Sequence, residues 1–230
     1  MELNKFNETA RGERTRQIVV ETALRLFRER GYDRTTMRAV ATAAGLSPGN
    51  AYYYFPSKQH LVQHFYAEIQ AEHRARSTIL LASSTSLSRR LAGVLHAGID
   101  TMAPYHDFAA TFIKVAIDPR SPLSPFSDES TGGRDQSVAL FTDVLRGSRS
   151  DMDDRVREEL PGLLWLAYLG LALFWVHDSS PGQARTHWLI DAAVPLLVRS
   201  LKLTRIPLLR SPVTDLLALI GGLRDGGLRA

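Results

Sequence analysis

The chain has 230 residues, of which 44% are hydrophobic and 23% charged, so it can bury a sizeable core. It has no cysteine, which excludes disulfides, thiol catalysis and cysteine-ligated zinc or iron–sulfur sites. The N-terminus has no apolar leader, and the longest uninterrupted apolar run, residues 163–176, is shorter than a membrane helix needs. We therefore expect a cytoplasmic protein without a membrane segment.

The first predicted element is an amphipathic helix over residues 14–30. Val19, Ala23 and Phe27 recur every four residues, and Gly31 follows as a residue that favours a helix end. Residues 1–13 show no such periodicity, so the sequence predicts a flexible arm. The basic side chains of this arm suit either a nucleic-acid groove or a solvated tail.

Two short helices joined by a tight turn are predicted next. Thr36 is a good N-cap for the first helix, and the Ser-Pro pair at 47–48 is a cap and first residue for the second. Between them Gly45 readily adopts the positive φ of a helix end. Ala41 and Ala51 are small where two crossing helices approach each other. This is helix-turn-helix spacing.

The second of these helices carries side chains that suit nucleic acid. Its hydroxyl and amide groups can bond phosphates and base edges without bulky charge. Three consecutive tyrosines, residues 52–54, cannot all face one side of a helix, so at least one hydroxyl must reach solvent or a ligand. Lys58 lies in the first turn of the following helix, where its charge opposes the helix dipole. We interpret Lys58 as a cation placed for a phosphate, the alternative being a solvated lysine.

The excess positive charge lies in the same region. Residues 1–60 contain 10 Lys and Arg against 6 Asp and Glu, whereas the rest of the chain contains 18 of each kind. Charge localised in this way is the electrostatic footprint expected where phosphates bind.

Residues 15–69 resemble the DNA-binding domain of the TetR (tetracycline-repressor-like) family of bacterial regulators. The matching residues are Ala23, Leu26, Phe27, Gly31, Thr35, Thr36, Val40, Ala41, residues 44–47, Gly49, Tyr52, Tyr53, Phe55, Ser57, Lys58 and Leu61. The family often has a histidine where this chain has Tyr54, so a base preference does not carry over. The resemblance and the exposed polar groups together give the candidate DNA-binding residues Thr36, Arg38, Ser47, Pro48, Gly49, Asn50, Tyr52, Tyr53, Tyr54 and Lys58.

A long helix over residues 57–81 is predicted to link this DNA-binding domain, residues 14–58, to a second domain over residues 59–204. His60 and His64 have a spacing that can hold a metal, and His73 follows. No carboxylate with suitable spacing accompanies them and the HExxH pattern is absent. We therefore predict surface histidines and no metal site.

The second domain is helical in pattern and carries no chemical motif. Residues 119–134 are rich in Pro, Ser, Gly and Asp, which predicts an exposed loop. Aromatic and apolar side chains on its helices suit a ligand pocket, although each is individually more typical of core or surface. The candidate pocket residues are His96, Met102, Tyr105, Phe108, Phe112, Trp165 and Trp175.

The last two predicted helices, residues 154–177 and 183–203, suit a dimer interface. A helix that is apolar on all sides needs cover on both faces, and a two-fold partner can supply the second cover. The pair resembles the two C-terminal dimerisation helices of the TetR family; the alternative is a monomer with a large core. The candidate interface residues are Trp165, Tyr168, Leu169, Leu173, Trp188 and Leu196. Residues 205–230 are predicted to add a short helix that packs back or joins the dimer contact.

The sequence thus predicts an all-α protein with an N-terminal three-helix helix-turn-helix domain and a C-terminal helical ligand-sensing and dimerisation domain. The leading hypothesis is a homodimeric transcriptional repressor, without a cofactor, that binds a pseudo-palindromic double-stranded DNA operator and is released by a small, largely apolar effector. One alternative is a ligand-independent architectural DNA-binding protein. Another is a helical enzyme using His106 and Asp107 or His177 and Asp178, although adjacent residues on a helix point apart.

Overall fold

The computed structural model describes the backbone of residues 2–150 and 152–203, with their side chains except those of residues 2–10, 108, 202 and 203. In this part of the chain all regular secondary structure is helical, which confirms the predicted fold class. The α-helices are α1 (Glu2–Arg30), α2 (Met37–Ala43), α3 (Pro48–Tyr54), α4 (Lys58–Ser83), α5 (Leu87–Met102), α6 (His106–Ile117), α7 (Thr131–Arg146), α8 (Asp154–Val176) and α9 (Ala184–Leu203). The predicted C-terminal helix over residues 205–230 lies outside the described residues.

The first helix is longer than the sequence predicts. It begins at Glu2, so residues 2–13 are helical where we expected a flexible arm. The segment has no proline, and apart from Gly12 its residues are tolerated in helices. The prediction depended on amphipathic periodicity, which a helix shows only where it packs against apolar partners.

The described chain divides into two compact units that do not follow the predicted boundary at residue 58. One unit contains the chain up to Ile69 together with Tyr105–Ser130. The other contains Gln70–Pro104 together with the described residues from Thr131 onward. The single helix α4 belongs to the first unit in its N-terminal part and to the second unit in the remainder.

The core of the first unit explains why α6 joins it. Phe27 of α1 and Leu61 of α4 are buried in one apolar cluster with Phe112 of α6 and Leu123 of the loop that follows. The rings of Phe27 and Phe112 meet edge to face at a centroid distance of 6.1 Å. Because these residues are far apart in the chain, no local sequence pattern predicts that they come into contact.

The second unit is held by α5, α7, α8 and α9, with α7 packed against α8 and α5 against α9. Its core includes Val94 of α5, Phe141 of α7 and Ile190 of α9. Arg90 of α5 is also buried, and its guanidinium donates hydrogen bonds to carbonyl oxygens at the C-terminal ends of α4 and α7. Because a helix C-terminus carries partial negative charge, these ends suit a buried cation.

The helix α8 is long and apolar enough, by length and composition alone, to cross a membrane. Core helices of water-soluble proteins meet the same criterion, and in this structure Val156, Leu164 and Leu171 of α8 are buried within the second unit.

Candidate nucleic-acid interface and sensing region

The turn between α2 and α3 forms as predicted. The start of each helix and the end of α2 are each explained by one nearby residue. The hydroxyl oxygen of Thr36 accepts a hydrogen bond from the Ala39 amide at 3.1 Å and caps α2. The hydroxyl oxygen of Ser47 accepts one from the Asn50 amide at 3.2 Å and caps α3. Gly45 has a φ of +70°, which ends α2 and lets the chain turn.

Close packing fixes the angle between these two helices. Ala41 and Ala51 are fully buried, as their small size predicts. Leu46 in the turn and Phe55 after α3 pack on the core of the first unit. The recognition helix α3 is therefore held by its buried side while its other side is open to solvent.

The open side of α3 carries most of the predicted DNA contacts. Tyr53 is 81% exposed and Tyr52 is 48% exposed, so both phenol hydroxyls are available to a ligand. On α2 and its cap, Thr36 and Arg38 are exposed too. The remaining exposed candidates on α3 and its cap are Ser47, Pro48, Gly49 and Asn50.

Tyr54 differs from its two neighbours. It is half-buried and packs against the core of the first unit, and its ring meets that of Tyr53 edge to face at 5.2 Å. Part of this side chain therefore serves the fold, and its contact with DNA stays a prediction. A helix that buries one face must turn at least one of three consecutive side chains inward.

The side chain of Lys58 also makes contacts within the first unit. Its ammonium donates a hydrogen bond to the Tyr32 carbonyl oxygen at 2.7 Å and lies 4.2 Å from the centroid of the Tyr32 ring. Partial burial lowers the pKa of this ammonium. Lys58 therefore satisfies a carbonyl group in the α1–α2 connection, and its contact with a phosphate stays a prediction.

The extended α1 brings basic side chains to the candidate surface. A Cβ atom placed on Gly12 would be 4.0 Å from the Tyr54 hydroxyl oxygen, so this part of α1 lies beside the end of α3. Arg11 and Arg14 flank that position and are exposed. The sequence predicts Arg11 in a flexible arm and Arg14 at the start of a helix, whereas in the structure one continuous helix carries both.

The candidate pocket residues are divided between the two units. Tyr105 and Phe112 belong to the first unit, where their rings lie 4.8 Å and 5.9 Å from that of Phe65. Trp165 and Trp175 are buried in the second unit, where Met102 is partly buried and His96 contacts His187. The side chain of Phe108 lies outside the described residues. Residue type alone does not distinguish a cavity wall from a packed core.

Two of the three described cavities in the second unit are partly enclosed, and the third, of about 510 Å³, is an open groove around Arg90. Of the two, one of about 270 Å³ lies between α4 and α7 and is lined by Gln70, His73, Arg74, Gln136, Ser137, Ala139 and Leu140. The other, of about 230 Å³, lies between α5, α8 and α9 and has mainly apolar walls that include Leu91, Leu164, Leu171 and Ile190.

His73 is the residue of the first cavity that the sequence missed. We predicted a surface histidine, but His73 is only 7% exposed. Its Nε2 lies 2.9 Å from the Val94 carbonyl oxygen, which can only accept a hydrogen bond, so Nε2 carries a proton. Burial lowers the pKa of His73, which favours the neutral ring and leaves Nδ1 as an acceptor. Polar residues recur along α4, so the sequence does not indicate that the helix face carrying His73 is buried.

His60 and His64 behave as the sequence predicts. His60 is exposed and bonds Ser57, and His64 is partly exposed beside Glu68. Across the described ranges, no three or more His, Asp or Glu side chains come together as a metal site would require.

The predicted dimer interface divides into a buried and an exposed part. Trp165 is only 3% exposed, and the ring of Tyr168 packs against His73 and Phe141. Both side chains pack in the core of their own unit, and their part in a dimer interface stays a prediction. Leu169 is partly buried. The exposed members are Leu173, Trp188 and Leu196, and Phe174 joins them.

Asp178 holds the turn between α8 and α9. One carboxylate oxygen accepts hydrogen bonds from the amide and hydroxyl of Ser180, and the other accepts from the amide and hydroxyl of Thr186. Burial alone would raise the pKa of Asp178, but these four bonds outweigh it and hold the pKa well below its usual range. Asp178 therefore positions two helices and is not one half of a catalytic pair with His177.

Comparisons with known proteins match both parts of the chain. Residues 19–65 match the family model for bacterial regulatory proteins of the tetR family. Residues 90–218 match the family model for the tetracyclin repressor-like C-terminal domain. Together the two matches include the candidate recognition helix α3 and the last described helix, α9.

Two relatives are similar over most of their length. The HTH-type transcriptional regulator TtgR of Pseudomonas putida is 36% identical over 192 residues, which are 80% of this chain and 84% of that protein. The HTH-type transcriptional repressor Rv1474c of Mycobacterium tuberculosis is 31% identical over 174 residues, which are 74% of this chain and 83% of that protein.

Solved structures share the fold at low identity. A TetR-family transcriptional regulator from Syntrophomonas wolfei aligns with a TM-score of 0.65 at 13% identity, covering 81% of this chain and 95% of that one. The Thermus thermophilus repressor FadR, solved in complex with lauroyl-CoA, aligns with a TM-score of 0.55 at 20% identity, covering 78% and 92%.

Proposed function

This chain belongs to the TetR family of bacterial transcriptional regulators, and we propose that it binds a pseudo-palindromic operator as a homodimer and releases it on binding a small, largely apolar ligand. It is a DNA-binding regulator and not an enzyme. We expect it to repress its target genes and to act in the cytoplasm, where operator DNA is found.

The observation that carries the proposal is the exposed face of α3. Tyr53 and Tyr52 extend phenol hydroxyls from a helix whose opposite side is anchored by buried Ala51 and Phe55. Asn50 adds an amide that both donates and accepts hydrogen bonds, as reading of base edges requires. Arg11 and Arg14 on α1 supply positive charge for the phosphates beside it.

A homodimer accounts for the apolar surface of α8 and α9. Trp188 is 69% exposed and Leu196 is 60% exposed, and a surface of this kind is typical of a protein interface. A two-fold axis through this surface would present two copies of α3 to major-groove half-sites roughly 34 Å apart, or a multiple of that.

The cavity between α4 and α7 is our candidate effector site. Its volume of about 270 Å³ suits a small molecule, and Leu140 and Ala139 supply apolar wall. His73 lines this cavity as a neutral ring, and we propose that its Nδ1 faces the cavity, so that a bound molecule with one hydroxyl or N–H group gains a hydrogen bond there. We therefore propose an uncharged, mainly apolar effector with one hydrogen-bond donor.

The helix α4 is the element through which such a ligand would act. Gln70, His73 and Arg74 line the cavity, and the same continuous helix begins at Lys58, four residues after α3 ends. Such a ligand would prefer an arrangement of α4 in which the two copies of α3 do not match the operator. By linkage, the ligand must then weaken DNA binding by the same factor by which DNA weakens ligand binding.

DNA binding is tested with the purified protein and its own upstream intergenic DNA, titrated with salt. We expect one fragment to be preferred over random DNA by ~10³ or more at physiological salt, with steep salt dependence. Tyr53→Ala should reduce this preference by roughly one to two orders of magnitude. The matched control Ile117→Ala removes another exposed side chain of the same unit and should keep it. Equal affinity for all fragments in every variant would contradict the proposal.

The effector site is tested with para-propylphenol and its methyl ether, which differ in the hydroxyl proton. We expect the phenol to bind roughly tenfold more tightly, measured by thermal shift, and to release the operator fragment. His73→Leu should remove the preference, whereas Ser137→Ala, in the same cavity, should keep it. Equal binding of the two compounds by the wild-type protein would contradict the role of His73.

A further inference from the structure

The cavity of about 230 Å³ between α5, α8 and α9 opens on the surface that we propose for dimerisation. Its floor is buried and includes Leu91 and Ile190. The exposed residues of its lining are Ala167 and Gly170 on α8 and Ala193 on α9, and all three are small. The opening of the cavity therefore lies between α8 and α9, on the outer side of the second unit.

The lining decides what can fill this cavity. Each described lining residue is glycine or an aliphatic residue. The backbone groups of the three surrounding helices are bonded mainly within those helices. Because water gains few hydrogen bonds in such a place, an apolar cavity stays dry or takes an apolar group. The expected occupant is therefore an apolar group that enters between α8 and α9.

Gly170 indicates that another molecule approaches the opening. Glycine in the middle of a helix lowers the stability of that helix relative to alanine. The described fold does not require glycine here, because a Cβ atom placed on Gly170 would meet no described atom within 4 Å outside the local helix. Its backbone also lies outside the left-handed region that favours glycine. A position without a side chain allows a second surface to come close to α8.

The surface around the opening suits a protein partner better than a lipid bilayer. The segment of α8 between Leu160 and Val176 has no charged residue, yet only 39% of the most apolar window of α8 is buried in the protomer. The other wall of the opening is α9, which exposes Arg185, Asp191 and Arg199 along its length. Charges spread in this way along a helix are costly within a bilayer.

The same surface carries a side chain that suits the opening. Trp188 of α9 is 69% exposed, and it is not among the described residues that line the cavity of its own protomer. In a two-fold interface residue i of one copy contacts residue j of the other, and j contacts i. One surface must therefore supply both halves of each contact. A cavity and an exposed indole on one pair of helices meet this requirement.

We propose that the indole ring of Trp188 of a second copy enters the cavity between α5, α8 and α9 beside Gly170, and that the reciprocal contact forms in the other protomer. The ring enters by its apolar edge and leaves its N–H group at the rim, since a buried N–H needs a partner. An aromatic side chain in a dry pocket is the kind of contact that dominates an interface. This inference rests on the proposed homodimer and names the residue and the receiving site of each copy.

The test is a double-mutant cycle on the dimer Kd of the full chain, measured by sedimentation. Trp188→Ala should raise the Kd roughly a hundredfold, because the contact occurs twice in each dimer. Gly170→Leu fills the opening and should raise the Kd by roughly tenfold or more. Both changes act on one contact, so the double variant should dissociate no more readily than Trp188→Ala alone. Effects that multiply would overturn the proposal.

The matched control is Leu196→Ala, which removes an exposed apolar side chain of α9 that is not among the described lining residues. Its effect on the Kd should multiply with that of Gly170→Leu. Leucine is a strong helix former, so Gly170→Leu should keep the helical content measured by circular dichroism. A loss of helical content in Gly170→Leu would show that the protomer itself needs this glycine, and would overturn the proposal.

Iodide quenching of tryptophan fluorescence tests the burial of Trp188 in the wild-type protein. The chain has three tryptophans, and Trp165 and Trp175 are only 3% and 2% exposed, so the emission that iodide reaches comes from Trp188. We expect quenching to fall severalfold as the protein concentration rises through the dimer Kd. Quenching that stays high in the dimer would overturn the proposal and leave the homodimer intact.

Other occupants of the cavity give different results in the same measurements. A wild-type protein that is monomeric at every concentration would overturn both this inference and the proposed homodimer. Shielding of Trp188 in a monomer would show that the chain's own residues cover the surface. Co-sedimentation with phosphatidylcholine vesicles that is lost in Trp188→Ala would assign the surface to lipid. Either of the last two results would also overturn the proposal.

Discussion

The molecule presents two exposed aromatic surfaces of opposite character. On α3, Tyr52 and Tyr53 are exposed side chains whose tips are polar. On α8 and α9, Leu173, Trp188 and Leu196 are exposed side chains that are almost entirely apolar. A wet, charged partner such as DNA suits the first surface, and a partner that excludes water suits the second.

The two surfaces nevertheless rest on the same kind of support. Each depends on two helices whose connection is fixed by a side chain that bonds backbone amides. Ser47 does this at the start of α3, and Asp178 does it between α8 and α9. The turns therefore set the geometry of the two surfaces, whereas the exposed side chains determine which kind of partner binds each surface.

The largest expected effect follows from placing charge on the apolar surface. In Trp188→Glu/Leu196→Glu two carboxylates would be buried in the dimer, so each should cost about 2 kcal/mol or more and the dimer Kd should rise by roughly a thousandfold. Sedimentation measures this directly. Ile79→Glu, at an exposed apolar position of α4, is the control and should leave the Kd unchanged. An unchanged Kd in the double variant would show that this surface does not pair two copies.

The next effect concerns the turn beneath that surface. Asp178→Asn loses charge-assisted hydrogen bonds and should lower the free energy of unfolding by about 1.5–3 kcal/mol at neutral pH. Because the folded-state pKa is lowered, the carboxylate stabilises the protein above its unfolded pKa of about 3.9, and that contribution is lost as the pH falls toward the folded value.

Urea unfolding at neutral pH and near pH 3 checks the acid behaviour. The wild-type protein should lose more stability than Asp178→Asn over this interval. Equal losses would mean that the four hydrogen bonds do not favour the charged form.

On the exposed face of α3, the effects of substituting the tyrosines should differ according to how deeply each side chain is buried. Tyr53→Ala should weaken operator binding by about 1–3 kcal/mol without changing the free energy of unfolding, because its side chain is exposed. Tyr54→Ala should instead lower stability, because that side chain packs on the core. Fluorescence anisotropy and thermal unfolding distinguish the two cases, and a reversed pattern would contradict the assignment.

The smallest expected effect is at the cap of α3. Ser47→Ala removes the hydrogen bond to the Asn50 amide and should cost about 1 kcal/mol of stability. Ser47→Asp, which can accept the same bond, should restore that loss while weakening DNA binding through repulsion of phosphates. Rescue of stability together with full DNA affinity would place Ser47 away from the phosphates.

The parts of this account that the sequence predicts are those governed by near neighbours. Thr36, Gly45 and Ser47 act within four residues of themselves, and each acts as predicted. Lys58 bonds a residue 26 positions away, His73 one 21 positions away, and His96 one 91 positions away. Residue type and periodicity do not encode such distances.

The same limit applies to the apolar residues. Trp165 and Phe112 are large and apolar, which fits a pocket, an interface or a core equally well. In the structure both are buried in cores. Only the packing of whole helices separates these outcomes, and Trp188 remains exposed on a helix of similar composition.

The most direct test of the account is the mass of the protein–operator complex, measured by light scattering at ~0.15 M salt, where surface charges are screened beyond about 8 Å. We predict two protomers on one operator for the wild-type protein, and no stable complex for Trp188→Glu/Leu196→Glu even though its α3 is intact. A single protomer bound to the operator, with the double variant binding as tightly as wild type, would contradict the claim that the second surface brings two reading surfaces together.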